Sequence, residues 1–180
     1  MNSFLDMIKE RRSIRNYEQK EVPQDVLNAI LEAVQWTPSW ANTQCWEIVV
    51  ITDQNAKQRL QEAVPKANPA HKSIAAAPVL FALCAKKGVS GYYKDVCTTR
   101  LGDWLMFDLG LAAMNISLAA HAHGLGSLIV GLFDHQQAET VLHVPDGIEL
   151  AAIMTLGYAS KIPSPPKRRE IRDFVHENRF

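Results

Sequence analysis

Three arginines fall within the five residues Arg11-Arg12-Ser13-Ile14-Arg15, and a second basic run, Lys167-Arg168-Arg169, lies near the C-terminus. Guanidinium groups are planar forks that grip a phosphate or carboxylate through paired, charge-assisted bonds, so both clusters are candidate anion sites. In an extended segment Arg11, Ser13 and Arg15 point the same way and Arg12 points elsewhere, which makes a cradle for a phosphate and the polar edge of a flat ring. Arginines at a helix end also complement its dipole, but three exceed that need. The other chemistry-bearing stretch is Thr37-Pro38-Ser39-Trp40-Ala41-Asn42-Thr43-Gln44-Cys45-Trp46. It sets small hydrogen-bonding side chains between two indoles, the composition of a binding loop, although the same residues serve in ordinary turns. Lys72, taken alone, reads as solvated surface. His121 and His123 are two apart, too close on a helix to converge on a metal.

These residues must be positioned by regular elements. Ser3 with Asp6 resembles a capping box opening a short helix whose Phe4, Leu5 and Ile8 share a face. Pro23 fits the first turn of a second helix, with Val26, Leu27, Ile30, Leu31 and Val34 as its core stripe, and Pro38 should end that helix. Ile48-Val49-Val50-Ile51 reads as a strand. Asp53 can cap a helix carrying Leu60 and Val64, which breaks up across residues 65–69, and residues 78–84 read as a second strand. Residues 86–99 form a connection containing Tyr92 and Tyr93. Residues 99–123 read as one helix, apolar on nearly every face, which must therefore be surrounded. Gly124-Leu125-Gly126 ends it, residues 127–134 make a strand closing on a helix cap, Ala138, Val141 and Leu142 a short helix, and residues 148–158 a long apolar strand.

Composition narrows the class. A chain of 180 residues with 47% hydrophobic content is expected to form one well-cored domain. Nineteen basic and nineteen acidic residues balance, so no global field draws nucleic acid or an anionic membrane. Asp103, Asp108, Asn115 and His121 interrupt the most apolar stretch, against a membrane span. Cys45, Cys84 and Cys97 are odd in number without C-x-x-C spacing, which argues against a disulfide framework or a zinc site and for a reducing cytoplasm. Residues 1–6 show no secretory pattern. The sequence holds no G-x-S-x-G, H-E-x-x-H or Walker motif, and no G-x-G-x-x-G follows a strand.

An R-R-S-x-R segment after a short first helix, followed by P-S-x-x-N-x-Q-x-W ahead of the first strand, resembles the FMN-dependent nitroreductase family over residues 4–175. The resemblance implies an α+β, three-layer fold: a central mixed, mostly antiparallel sheet flanked by helices, with the long apolar helix at a homodimer interface. Residues 160–180 would be a C-terminal extension packing on the partner. It implies bound FMN, no resident metal, no catalytic side chain, and a ping-pong exchange in which NAD(P)H reduces FMN before a nitroaromatic, quinone or similar small acceptor takes the electrons. The FMN-binding residues carried over are Arg11, Arg12, Ser13, Arg15, Pro38, Ser39, Trp40, Asn42, Lys72, Ile129, Val130, Gly131, Arg168 and Arg169. Arg11 and Arg168 would hold the phosphate. Ser13, Arg15, Asn42 and Lys72 would meet the pyrimidine edge, with Asn68 a weaker candidate, and backbone N–H groups near Gly131 would approach the ring. Ser39 and Trp40 would come from the partner subunit.

Two other readings fit the same residues: a specialised reductive enzyme of this fold, such as a dehalogenase, or a flavin-binding protein without efficient turnover. Cys45 stands where the family usually has proline. A thiol there is either redox-sensitive or a small buried side chain.

Overall fold

The computed structural model describes residues 4–180, so Ser3 of the expected capping box lies outside the described residues. Its centre is a four-stranded sheet of β1 (Trp46–Ile51), β2 (Val79–Lys86), β5 (Gly126–Val130) and β6 (Ile148–Gly157), in the spatial order β1-β2-β6-β5. Every strand pair in it is antiparallel, and among the described residues parallel pairing is confined to a single bridge between Ser13 and Ser127. A bulge at Leu83/Cys84 shifts the β2–β6 register.

Period-two alternation on β2 divides the core between the two faces of the sheet. Val79, Phe81, Leu83 and Ala85 face helices α2 (Gln24–Gln35) and α5 (Leu105–Ala122). Leu80, Ala82 and Cys84 face α3 (Gln54–Ala63), α4 (His71–Ala76) and α6 (His135–Leu142). The result is the three-layer α+β arrangement expected. Phe81, Leu80, Leu83, Ile153, Met154 and Leu156 are essentially inaccessible. Burial of each contributes about 1.5–3 kcal/mol.

Local chemistry explains most boundaries. Pro23 precedes α2, whose Leu27, Ile30 and Val34 are buried, and the helix ends at Gln35 ahead of Pro38. Asp53 and Asp134 accept hydrogen bonds from Ala56 N–H (2.8 Å) and Gln137 N–H (3.0 Å), capping α3 and α6. Other boundaries differ from expectation. The long helix begins at Leu105 rather than near residue 99, because Asp103 caps Leu105 N–H (2.9 Å) and also accepts from Gly88 N–H (2.7 Å), drawing residues 99–104 into a turn. The connection before it contains a small hairpin, β3 (Tyr92–Tyr93) with β4 (Val96–Cys97), closed by Lys94 and Asp95, both at positive φ as a two-residue hairpin turn requires. A short helix, α4, stands where a loop before β2 was expected, so Lys72 is helical.

Helix α5 is long and apolar enough to cross a membrane by length and composition, but here it packs against α2 and the sheet. Its buried side includes Leu109, Ala112, Ala113, Ile116 and Ala120. Its other side is not surrounded: Met106 and Phe107 are 62% and 58% exposed. The helix α1 (Phe4–Glu10) likewise exposes Phe4 and Leu5, and residues 160–180 are exposed throughout.

The basic segment after α1 is fastened to the sheet. Ile14 N–H donates to Ser127 C=O (2.9 Å), and Ser73 hydroxyl donates to Arg15 C=O (3.0 Å). Buried Tyr17 donates to Ile14 C=O (2.8 Å) and bonds Thr155 Oγ1 on β6, and desolvation lifts its phenol pKa well above the ordinary value. Tyr17→Phe is expected to cost about 1–2 kcal/mol by leaving buried acceptors short of a donor. Urea unfolding midpoints of the two proteins check this.

Candidate functional site

The extended stretch from Arg11 to Arg15 lies along β5, and with α5 it borders a groove. Arg11, Ser13, Gly110, Met114, Ser117, Ser127, Leu128 and Ile129 line a cavity of about 210 Å³. Ile129 is half-exposed on its wall, and Gly110 has open space where a side chain would stand. Val130 turns into the core, and Gly131, also facing open space, lies in a second cavity of about 670 Å³ with Tyr92, Met106, Lys87 and Glu149. Met106 precedes Gly110 and Met114 on α5, and Gly131 comes just after the end of β5, two residues beyond Ile129. The two cavities therefore succeed one another along the channel between helix and strand.

The carried-over residues divide into three groups. Arg11, Ser13 and Ile129 meet in the groove, with Gly131 at its far end. Arg11 is half-buried, and its guanidinium has no hydrogen-bond or ion-pair partner among the described residues. Arg12 lines a neighbouring cavity with Glu10, His121 and Ile162, which Arg11 also borders, but not the groove; its Nη1 donates to the carbonyls of Lys9 and Arg11 (2.8 Å for the latter), so it ends α1. Arg15 is exposed and donates to Ser13 C=O (3.3 Å), and Lys72 is exposed on α4 beside Ser73, which ties that helix to the Arg15 backbone. Asn68 donates to Leu132 C=O (3.4 Å), just past β5.

The second group is the loop after α2. Pro38 and Asn42 line a separate depression of about 440 Å³ with Trp36, Thr37 and Gln44. Trp40 opens a single 3₁₀ turn in which Ala41 (φ 44°) and Asn42 (φ 54°) are left-handed, and Gln44 (φ 48°) follows. Left-handed geometry at Ala41 and Gln44 costs roughly 1–3 kcal/mol each, and such strain clusters at functional sites. Ser39 Oγ accepts from Gln44 N–H (2.9 Å), and the Asp108 carboxylate accepts from Trp40 N–H (3.1 Å). Trp46 packs against the core as an anchor. The third group, Arg168 and Arg169, lies in the exposed C-terminal segment and does not line the groove of its own chain, with Arg169 bonded to Asp173 C=O and above the Phe174 ring.

Cys45 is buried against Asp108, and burial together with that carboxylate pushes its thiol up to about 12. Burial, then Glu139 and Glu47, push Cys84 up to about 11. Neither is poised as a thiolate, which resolves the Cys45 alternative in favour of a packed thiol. Iodoacetamide at mildly alkaline pH is expected to label exposed Cys97 and spare the other two, as read by mass spectrometry. Both pKa values are raised by folding, so their contribution to stability is complete below the ordinary thiol value of about 9.0 and is lost as pH rises toward 11–12. The thermal midpoint should fall across that window.

Asp108 and Ser90 carry no signal in the sequence beyond a polar residue in an apolar helix and a serine in a connection. Thr43 Oγ1 and Trp104 Nε1 are buried without a partner among the described residues. Another cavity of about 560 Å³, between residues 18–24 and 75–79, shares nothing with the groove, and its Lys57 Nζ donates to the carbonyls of Ala77 (2.9 Å) and Pro78 (3.3 Å) at the end of α4. Desolvation lowers that lysine's pKa. No metal cluster occurs among the described residues.

FMN, the group implied by the resemblance, suits the groove. It needs a cationic donor for a phosphate, here Arg11, and a polar donor for the ring edge, here Ser13, beside an apolar slot for a ring, here Met114, Leu128 and Ile129 with Gly110 and Gly131 leaving room for it. A provisionally named NADH dehydrogenase/NAD(P)H nitroreductase of Archaeoglobus fulgidus is 30% identical over 88% of this chain and 86% of its own. A crystal structure under the same provisional name from Bacteroides thetaiotaomicron superposes with a TM-score of 0.84 at 25% identity, covering 100% of this chain and 99% of that one. A protein titled FMN-dependent nitroreductase from Clostridium difficile R20291 superposes with a TM-score of 0.78 at 26% identity over 98% and 99% of the two chains. The nitroreductase family model matches residues 8–158, a span that runs from the basic segment through the whole sheet, and with that match the chain belongs to the nitroreductase family.

Proposed function

We propose that this protein is a homodimeric, FMN-dependent NAD(P)H oxidoreductase that reduces nitroaromatic, quinone or similar flat acceptors. The groove carries the reading: a guanidinium without a partner among the described residues and a hydroxyl at one end, an apolar slot floored by residues without side chains, and an open cavity beyond Gly131. FMN, when bound, supplies the two-electron transfer from NAD(P)H to the acceptor.

The side chains bind and orient. Arg11 holds the phosphate, while Ser13, Arg15 and Lys72 serve the polar edge of the ring. The backbone from Ile129 to Gly131 lies along it, and Met114, Leu128 and Ile129 exclude water. Arg12 acts only by shaping the end of α1. Pro38, Ser39, Trp40 and Asn42, with Arg168 and Arg169, complete the groove of the partner subunit, because in their own chain none of them lines it.

Three observations favour a dimer. A cavity of about 210 Å³ falls below the ~300–1,000 Å³ usual for ligand sites, so one chain supplies part of the pocket. Met106, Phe107 and Met114 form an exposed apolar face on α5 beside that cavity. Residues 160–180, exposed in their own chain, form an arm that packs on the partner. Light scattering after size exclusion tests the assembly, and a monomer would overturn that part of the proposal. The three free thiols fit a cytoplasmic setting.

The visible absorbance spectrum, followed by anaerobic addition of NADH or NADPH, tests the activity. Flavin bands should bleach and return when a nitroaromatic or quinone is added. A colourless protein that FMN cannot reconstitute would overturn the proposal.

A further inference from the structure

Asp108 is where the binding loop, α5 and the hairpin connection meet. Its side chain has no exposed surface, and no lysine, arginine or histidine pairs with it among the described residues. Its carboxylate accepts instead from Trp40 N–H (3.1 and 3.3 Å to its two oxygens), the Ser90 hydroxyl (2.6 Å) and the Cys45 thiol (3.6 Å). The Ser90 distance lies in the range of a charge-assisted O–H···O⁻ bond. A carboxylate inside an apolar core is costly unless its bonds are made, and here every donor comes from a segment outside its own helix.

Those segments border the proposed sites on the two sides of the assembly: the Trp40 loop the groove of the partner subunit, which it is proposed to complete, and the Tyr92 hairpin the cavity of its own chain. Trp40 N–H begins the turn in which Ala41, Asn42 and Gln44 are left-handed, a conformation that persists only when surrounding contacts enforce it. Ser90 lies two residues before Tyr92, which lines the cavity with Met106 and Gly131. Between them Gly91 admits no side chain, since a Cβ would stand 2.8 Å from Gly102 O, so the turn from Ser90 into Tyr92 packs closely on the chain before α5. On α5 itself, Gly110 and Met114 border the groove.

We infer that Asp108 is a positioning residue for the flavin and acceptor site, its carboxylate fixing the Trp40 loop and the Tyr92 hairpin against α5. This rests on the groove being the FMN site. Asp108 touches neither reactant; it acts through Trp40 N–H and Ser90. Removing its charge loosens both walls together, whereas removing the Ser90 hydroxyl loosens only the hairpin.

Asp108→Asn and Ser90→Ala are compared with the native protein by steady-state kinetics, thermal melting and Cys45 alkylation of the flavin-free form. Asp108→Asn keeps the shape but turns one acceptor into a donor facing other donors. In Ser90→Ala the acceptor KM should rise on the order of tenfold, the equivalent of one lost hydrogen bond, with kcat within about twofold. In Asp108→Asn the KM should rise at least as much, and Cys45 should be alkylated on the order of tenfold faster; in Ser90→Ala Cys45 should stay protected. An unchanged KM in Ser90→Ala, or Cys45 equally protected in Asp108→Asn, overturns the inference. So does a proportional fall of kcat, kcat/KM and melting midpoint in both variants, which marks a purely structural role. Should Asp108→Asn show no cooperative melt, Ser90→Ala decides alone. If the native protein neither binds FMN nor oxidises NAD(P)H, the functional reading has failed, and the alkylation comparison still decides whether Asp108 holds the loop.

Discussion

Arg11→Ala is expected to purify nearly colourless from conditions in which the native protein retains flavin, with its fold intact. The side chain stands half-buried at the head of the groove and its guanidinium makes no hydrogen bond or ion pair with the described residues, so its removal breaks no polar contact among them. The backbone there is held independently, by Arg11 N–H to Met7 C=O (3.0 Å) and Ile14 N–H to Ser127 C=O (2.9 Å). A lost hydrogen bond to a charged group is worth about 1.5–3 kcal/mol, and a bidentate grip on a phosphate reaches the upper part of that range. FMN should therefore bind about tenfold to a hundredfold more weakly. Quenching of FMN fluorescence on titration measures the dissociation constant, and circular dichroism checks the fold. Arg12→Ala is the control, because its side chain is spent on the carbonyls of Lys9 and Arg11 and its loss should fray α1 with a much smaller effect on flavin. Equal flavin content in Arg11→Ala and the native protein would count against the phosphate assignment.

Gly126→Ala should destabilise the protein more than its single added methyl group suggests. A Cβ at this position would lie 2.3 Å from Ile14 Cγ1 and 2.7 Å from Ile14 Cβ, and the β-branched, buried Ile14 side chain has no room to swing away. The methyl must lift the basic segment off β5, breaking the Ser13–Ser127 bridge that sets Ser13 in the groove. Overpacking of this kind costs about 1–3 kcal/mol. For a chain of this length that corresponds to a melting point lower by roughly 3–10 °C. Flavin affinity should fall with it, since Arg11 moves with the segment. Ile14→Ala removes the Cγ1 and Cγ2 atoms at 2.3 and 3.0 Å and leaves only Cβ at 2.7 Å, so the double variant should relieve part of the clash and be more stable than the sum of the two single changes predicts. A Gly126→Ala protein melting within about 1 °C of the native one would show that the close approach relaxes freely. Gly124, two residues earlier, is a different case: its φ of +74° is the left-handed geometry that ends α5. The sequence suggests the same conformational role for both glycines, and the structure separates them.

Much of the fold is legible because local patterns dominate it. The α2 stripe, the alternation of β2, the Asp53 and Asp134 caps and the long β6 each depend on a few neighbouring residues, and the nitroreductase resemblance rests on two such local motifs. Where longer contacts decide, reading fails. Asp103 captures Gly88 from fifteen residues away and so shortens α5, which its composition alone would extend to residue 99. The α4 helix sits in a stretch that looks like a proline-bounded loop, and it is fastened at Ser73 to Arg15.

The site shows the same division. Residue type and alternation are enough to mark Arg11 and Ser13 as candidates that face one way and to set Arg12 apart, because side-chain direction along an extended chain is a local property. Which of the marked residues share a cavity is settled by how β5, α5 and the basic segment pack: Arg11, Ser13 and Ile129 meet, whereas the Trp40 loop and Arg168 do not join them in one chain. Asp108 is the clearest instance. By its sequence it is an acidic interruption in an apolar helix, and only tertiary packing brings Trp40, Cys45 and Ser90 around it, since a buried carboxylate has to draw its hydrogen bonds from whatever donors the rest of the chain delivers.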